Sequence, residues 1–218
     1  MMRADPPARG RFITFEGGEG AGKSSQILRL TQHLQALGLP VLRTREPGGT
    51  PGAEAIRALL VTGEADRWDA TTELLLVAAA RRDHVRRVIA PALKAGTWVV
   101  CDRFADSTRA YQGVAGGLGL DRVDAVNAIA TDGLEPDLTV VLDIDPAIGL
   151  ARAGRDAADH GETRFESHAG AFHDTVRTAF RQLAARAPER CVVVDATPDS
   201  DTVAAQVRTA ITDRLQVA

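Results

Sequence analysis

Five short apolar runs recur along the chain: "RFITFE" (11–16), "PVLRTRE" (40–46), "TWVVCD" (97–102), "LTVVLDI" (138–144) and "CVVVDA" (191–196). The last three are nearly continuous in apolar residues, the pattern of parallel strands covered on both faces. Between the runs the period changes to that of a helix. Ile27, Leu30, Leu34 and Leu37 fall on one face and predict a helix from about Lys23 to Leu37, stopped by Gly38. "TPGAEAIRALLVTG" (50–63) opens on a threonine cap with proline behind it and closes on Gly63. A long helix is predicted from about Thr71 to Ala95, kinked or restarted at Pro91. "DSDTVAAQVRTAITDRL" near the C-terminus is an amphipathic helix. Five strands with helical crossovers predict an α/β fold, a five-stranded, doubly wound parallel sheet.

With 218 residues, no repeats and no linker-like shift in composition, one sizeable core is expected, a single domain over 11–218. "MMRADPPARG" has no apolar stretch of the kind a signal peptide needs and reads as a disordered tail over 1–10. "ARAGRDAADHGETRFE" (151–166), charged and interrupted by glycine, is expected to be a mobile loop between helices. The formal net charge of −3 provides no global basic field for nucleic acid or a membrane surface, so individual arginines carry the information. Cys101 and Cys191 sit in apolar runs without a C-x-x-C partner, which predicts buried reduced thiols and no zinc or redox site. No apolar run approaches the roughly 18 residues of a membrane span, and a cytoplasmic location is the expectation.

The densest chemistry lies in "FEGGEGAGKSSQ" (15–26). Gly17, four residues, then Gly22-Lys23-Ser24 fits G-x-x-x-x-G-K-[ST], placed between a predicted strand and a predicted helix. Glycines let successive N–H groups turn inward around an anion, and the helix N-terminus adds its dipole. Lys23 would reach the β- and γ-phosphates and Ser24 would place a hydroxyl on Mg²⁺. The N-K-x-D of guanine-nucleotide switches is missing, because the only asparagine, Asn127, precedes Ala-Ile-Ala. Neither "TWVVCD" nor "LTVVLDI" continues into the Asp-Glu of a motor ATPase. A phosphotransferase with a second, acceptor pocket is therefore favoured.

Three stretches could build that pocket. "TREPGGTPG" (44–52) leaves the second strand at its C-terminal end, where α/β sheets place ligands. Its Glu46-Pro47 bond would re-aim the loop if cis, and a simple turn is the alternative. In "CDRFADSTRAYQG" (101–113), Asp102 and Arg103 fall at the sheet's edge beside the phosphate loop, as a phosphate grip or a surface pair. Tyr111, the only tyrosine, and Gln112 suit either a base-reading pair or a helix cap. In "ELLLVAAARRDHVRRVI" (73–89), Arg81 shares a helical stripe with Leu74, Val77 and Val85, and either snorkels to solvent or binds a ligand.

"FITFEGGEGAGKSS", "TREPGGT", "AAR", "DRFADSTRAYQG", "RFE" and "VVVDAT" occur in this order over nearly the whole chain. In this the sequence resembles the thymidylate kinases, the dTMP kinases of the P-loop nucleoside monophosphate kinase group. The resemblance implies transfer of the γ-phosphoryl of MgATP to dTMP, giving dTDP and ADP for dTTP synthesis. Another pyrimidine (deoxy)nucleotide or deoxynucleoside kinase is the alternative. It implies an ATP loop of Gly17, Gly18, Glu19, Gly20, Ala21, Gly22, Lys23, Ser24 and Ser25. Glu19 would also touch the acceptor's 3′-hydroxyl. Arg103 would hold the dTMP phosphate, with Glu46 and Pro47 packed behind, and Ser107 would also bind dTMP. Arg81 would bond a thymine carbonyl, Thr108 and Gln112 would read the base edge, and Tyr111 would lie under the sugar and reject a 2′-hydroxyl. Ser24 and Asp102 would serve Mg²⁺, Asp102 by orienting a metal-bound water or Arg103. Where the family stacks a phenylalanine on thymine, this chain has Val77, with Phe104 as a possible substitute. No basic residue stands among Gly18 to Ala21, so beside Lys23 and Arg103 the transition state needs an arginine from a lid over about 151–166. Arg155 is the first candidate, Arg152 the second and Arg164 the remaining one. The resemblance also implies a homodimer, through the apolar faces of the 51–62 and 71–95 helices.

Overall fold

The computed structural model describes residues 9–64, 66–156 and 170–217, the side chains of 154–156 excepted. The five apolar runs form strands β1 (Phe12–Glu16), β2 (Val41–Arg45), β3 (Trp98–Asp102), β4 (Leu138–Asp143) and β5 (Cys191–Asp195), all within one residue of the bounds the sequence predicts. All pairings are parallel, in the order β2-β3-β1-β4-β5. β1 is therefore central, and the chain moves first to one side of it and then to the other. The crevice beyond β1 is the topological switch point where such sheets bind ligands. Register fixes what meets there: Asp102 lies opposite Phe15 on one side and Arg45 on the other. The strand ends that lead into Glu16, Glu46 and Arg103 are thus level.

Helices cover both faces. α1 (Lys23–Ala36) and α9 (Ser200–Leu215) pack Ile27, Leu30, Leu34, Val203, Val207 and Ile211 against Ile13, Phe15 and Val140. On the other face Val85, Ile89 and Leu93 meet Phe12 and Val99, while Val176 and Phe180 of α8 (Gly170–Arg186) meet Val141. A fully buried side chain of this size contributes about 1.5–3 kcal/mol relative to exposure. Both cysteines are buried and free, as expected.

α2 (Pro51–Val61) begins as its sequence predicts, with the Thr50 hydroxyl accepting from the Ala53 N–H and Pro51 at the first position. The long helix is interrupted ahead of Pro91 and its α geometry restarts there, as the sequence predicts, with Pro91 in the first turn of the new segment. α3 (Ala70–His84) widens into π-turns over Val85–Ile89, where the Ala90 N–H donates to Val85, and continues as α4 (Ala90–Lys94). The wide turn relieves the ladder just ahead of a residue that has no N–H to give. α5 (Ala105–Thr108), a second π segment (Arg109–Ala115) and α6 (Leu120–Thr131) complete the β3–β4 crossover.

Two expectations about irregular segments need correction. Residues 1–8 of the expected tail lie outside the described residues, but Arg9 and Gly10 are anchored. The Arg9 guanidinium donates to both oxygens of Asp137, and the Gly10 N–H donates to Leu93. Residues 151–156 are not loop: α7 (Pro146–Asp156) runs through them. The rest of the predicted loop, 157–166, lies outside the described residues. Among the described residues no helix is long and apolar enough to cross a membrane.

Candidate active site

β1 delivers the chain directly into the glycine-rich loop, and α1 opens at Lys23 behind Gly22, which provides no side-chain cap. The first N–H groups of α1 are thus left for an anion. Lys23 Nζ folds back onto the loop, donating to the carbonyls of Gly17 at 3.2 Å and Gly18 at 2.8 Å. Burial, with the Arg103 charge beside it, lowers the Lys23 pKa. The loop rests on α7 at a contact only glycine permits: a Cβ at Gly20 would stand 1.8 Å from the Gly149 carbonyl oxygen.

Ser24 Oγ donates to Asp102 Oδ2 at 3.2 Å, and Asp102 Oδ1 is buried with no hydrogen-bond partner. Among the described residues no three His, Cys, Asp or Glu side chains cluster as a closed metal cage. One hydroxyl beside one carboxylate with a free oxygen suits a hard divalent cation that keeps waters and phosphate oxygens as its other ligands.

A cleft of about 540 Å³ opens from the loop toward Pro47, Val77, Arg81 and Gln112. Arg103 stands at its middle. The residue has φ 67°, a left-handed conformation unusual for a residue with a side chain, and such strain concentrates at functional sites. Its guanidinium donates to Glu19 Oε1 at 2.7 Å, the Gly17 carbonyl at 3.1 Å and Ser107 Oγ at 3.2 Å, and lies 5.2 Å over the Tyr111 ring. Tyr111 also donates to Glu19 Oε1, at 3.0 Å. Burial alone would raise the Glu19 pKa. The charges of Arg103 and Lys23 and the Tyr111 hydroxyl overcome it and bring the carboxyl down to about 2.

Glu16, at the end of β1, holds the far side of this arrangement. It accepts from the N–H groups of Phe104 at 2.8 Å and Ser107 at 3.2 Å, and from Ser107 Oγ at 2.5 Å. Burial and the neighbouring Asp106 raise its pKa to about 7, against the pull of the Ser107 bond and Arg103.

Arg81 does not snorkel. It is 1% exposed and its guanidinium is held on three sides: Nε to Glu46 Oε2 at 2.7 Å, Nη1 to Asn127 Oδ1 at 2.6 Å and Nη2 to Thr108 Oγ1 at 3.0 Å. Glu46 in turn meets His84 Nδ1 at 3.1 Å, and His84 Nε2 meets Thr44 Oγ1 at 2.7 Å. Gly49, at φ 85°, lies so close that a Cβ would stand 2.4 Å from His84 Nε2. The Glu46-Pro47 peptide is cis.

The expected residues from Glu19 to Ser25, and Glu46, Pro47, Val77, Arg81, Asp102, Arg103, Ser107, Thr108, Tyr111 and Gln112, all line this one cleft. Gly17 and Gly18 sit behind it and accept from Lys23. Arg152 is placed elsewhere: its guanidinium donates to the carbonyls of Ala196 and Thr197, beyond β5. The side chain of Arg155, and Arg164 entirely, lie outside the described residues. Phe104 lines the cleft, but its ring packs edge-on against Phe12 and beneath the Arg81 guanidinium. Arg45 and Arg57 also line the cleft, as residues the motifs do not single out. Glu16, Glu73, His84 and Asn127 hold the lining side chains in place. Only Glu73 had a signal, four residues from Val77 and eight from Arg81 on the same helical face.

The apolar wall at Val77 is shared with Leu60 and Val61. Val77→Phe is expected to lower the KM for an aromatic acceptor about two- to tenfold, from the roughly 0.5–1.5 kcal/mol of a ring pair. Steady-state kinetics check this, and an unchanged or higher KM counts against a stacking site there.

A phosphate-binding loop and an acceptor cleft that share Arg103 and Glu19 as a common wall define a P-loop phosphotransferase of the nucleotide kinase type. The family model described as thymidylate kinase matches residues 15–207, and the chain belongs to the thymidylate kinase family. It is 52% identical over 207 residues to the thymidylate kinase of Caulobacter vibrioides, covering 95% of this chain and 98% of that one. It is 52% identical over 217 residues to that of Nitrobacter winogradskyi, covering 98% and 94%. The crystal structure of thymidylate kinase from Ehrlichia chaffeensis superposes with a TM-score of 0.76 at 32% identity, over 93% of this chain and 99% of that chain.

Proposed function

We propose that the protein transfers the γ-phosphoryl group of ATP to the 5′-phosphate of dTMP, giving dTDP and ADP for dTTP synthesis. The Arg103 junction carries this reading. One guanidinium bonds the donor loop at Gly17 and Glu19 and, on the cleft side, Ser107, so donor and acceptor phosphates meet at a single fixed charge. An acceptor phosphate oxygen attacks the γ-phosphorus in line, and the bridging oxygen leaves with ADP. A phosphate oxygen needs no strong base, so the work is positioning and electrostatics.

In this reading Lys23 swings from the loop carbonyls to the β- and γ-phosphates, and Arg155, near the end of α7, meets the charge on the transferred group. Mg²⁺, when bound by Ser24 and Asp102, would neutralise developing charge on the phosphate oxygens. Glu19 takes the 3′-hydroxyl, and the Tyr111 ring lies under the sugar and discriminates against a 2′-hydroxyl. The cytoplasm is the compartment we assign. We assign a homodimer through the faces of α2 and α3, which carry the exposed Leu59 and Leu75.

The test is ADP release with dTMP, dUMP, UMP and thymidine as acceptors. Turnover with dTMP, far less with UMP and none with thymidine is expected. Phosphorylation of thymidine would overturn the reading in favour of a deoxynucleoside kinase.

A further inference from the structure

One wall of the cleft carries Arg81, Thr108 and Gln112, and the bonds each already makes fix what it can offer an occupant. A guanidinium can only donate. Thr108 Oγ1 therefore accepts from Arg81 Nη2, and its own O–H proton is left to donate elsewhere. Gln112 Nε2 donates to Glu73 Oε2 at 2.9 Å. A carboxylate can only accept, so this contact decides which arm of the amide is nitrogen. Nε2 keeps a second N–H, and the carbonyl oxygen on the other arm is the acceptor Gln112 has for the cleft. Both side chains are buried, Gln112 at 4% and Glu73 at 9% exposure. Turning the amide over would set oxygen against oxygen at a buried contact.

The wall thus displays donors from Arg81 and Thr108 beside an acceptor from Gln112. Thymine and uracil present the complement, a C4 carbonyl beside an N3–H. Cytosine presents the reverse, an exocyclic amine beside a bare ring nitrogen. We propose that Glu73 is a specificity-positioning residue: by holding the Gln112 amide nitrogen it turns the amide oxygen toward the acceptor's ring N–H and so excludes cytosine nucleotides. Glu73 is not part of the cleft lining and reaches the cleft through its bond with Gln112. Its place in the first turn of α3, on the stripe of Val77 and Arg81, aligns it with that wall. The inference rests on the reading that a pyrimidine monophosphate occupies the cleft.

Glu73→Gln offers Gln112 either an oxygen or a nitrogen and lets the amide turn over. With dTMP, dUMP and dCMP as acceptors, the dTMP to dCMP ratio of kcat/KM is expected to fall at least about a hundredfold, because a correctly paired polar site discriminates by more than that. The dTMP to dUMP ratio, which reads only the methyl group, should stay within about twofold of wild type. The dTMP loss should lie mainly in KM, and Glu73→Asp, which keeps the carboxylate, should restore much of the discrimination. Glu73→Ala removes the acceptor altogether and gives the same test if Glu73→Gln does not fold. An equal loss on all three acceptors, with unchanged ratios, would mean a purely structural Glu73 and overturns the inference. A wild-type protein inactive on both dTMP and dUMP would instead overturn the proposed function beneath it.

Discussion

Arg103→Ala is expected to lower kcat/KM for dTMP about a thousandfold. The guanidinium is bonded to Glu19, Gly17 and Ser107 and stacked on Tyr111. Truncating one member of such a desolvated, hydrogen-bonded charge pair costs about 2–5 kcal/mol, and each 1.36 kcal/mol is about tenfold in rate. Arg103→Lys should recover only part of this, because a point charge cannot span three partners in a fixed plane. Arg103→Gly would ease the positive φ at this position yet should be as inactive as alanine, which separates the side chain's role from the backbone's. Steady-state kinetics, with ATP binding and thermal unfolding as controls, decide the matter. A loss under about tenfold would move the phosphate grip elsewhere.

The same substitution has a pH signature. The Glu19 pKa lies at about 2 in the fold, against 4.5 for an ordinary glutamate, with Arg103 the foremost of the charges that hold it down. A depressed carboxylate stabilises the fold fully above its unfolded pKa and loses that contribution as pH falls through the folded value. Wild type should therefore lose this increment between about pH 4.5 and 2. Arg103→Ala should lack most of it even at neutral pH, and its unfolding midpoint should change less across that range.

Arg155→Ala is expected to lower kcat by about 10³-fold or more, within the range of an arginine that meets transition-state charge, while leaving the KM for dTMP nearly unchanged. Gly18 to Ala21 provide no cation. Arg103 is committed to the wall between donor and acceptor. Arg152 is turned to the carbonyls of Ala196 and Thr197, so Arg152→Ala should instead loosen the turn after β5 and change kcat only modestly. Single-turnover measurements on both variants separate the two. A kcat loss below about threefold for Arg155→Ala, beside a large one for Arg152→Ala, would reverse the assignment.

Most of the fold was legible because its signals are local. β3, β4 and β5 are apolar on both faces and announce themselves within six or seven residues. Thr50 caps α2 through an N–H three residues away. The phosphate loop is a contiguous motif with a strand on one side and a helix on the other. Pro91 announced an interruption of the long helix but not its form: π-turns just ahead of it absorb the missing N–H, while Val85, Ile89 and Leu93 stay buried against the sheet. Arg9 and Gly10 look like a tail because the partner of Arg9 is Asp137, far along the chain.

By itself the sequence determined the strands, the helices between them, the donor loop and the kinds of polar group available to an acceptor. Each of these follows from periodicity or from a motif that acts over a few residues. Only the tertiary structure decided how those groups are aimed. Arg81 takes its orientation from Glu46, Thr108 and Asn127, Gln112 takes its from Glu73, and Arg103 joins Glu19 across the switch point. These partners lie 27 to 84 residues apart along the chain. They meet because parallel crossovers bring strand ends level at one edge of the sheet, and the spacing of residues along the chain carries no record of that meeting.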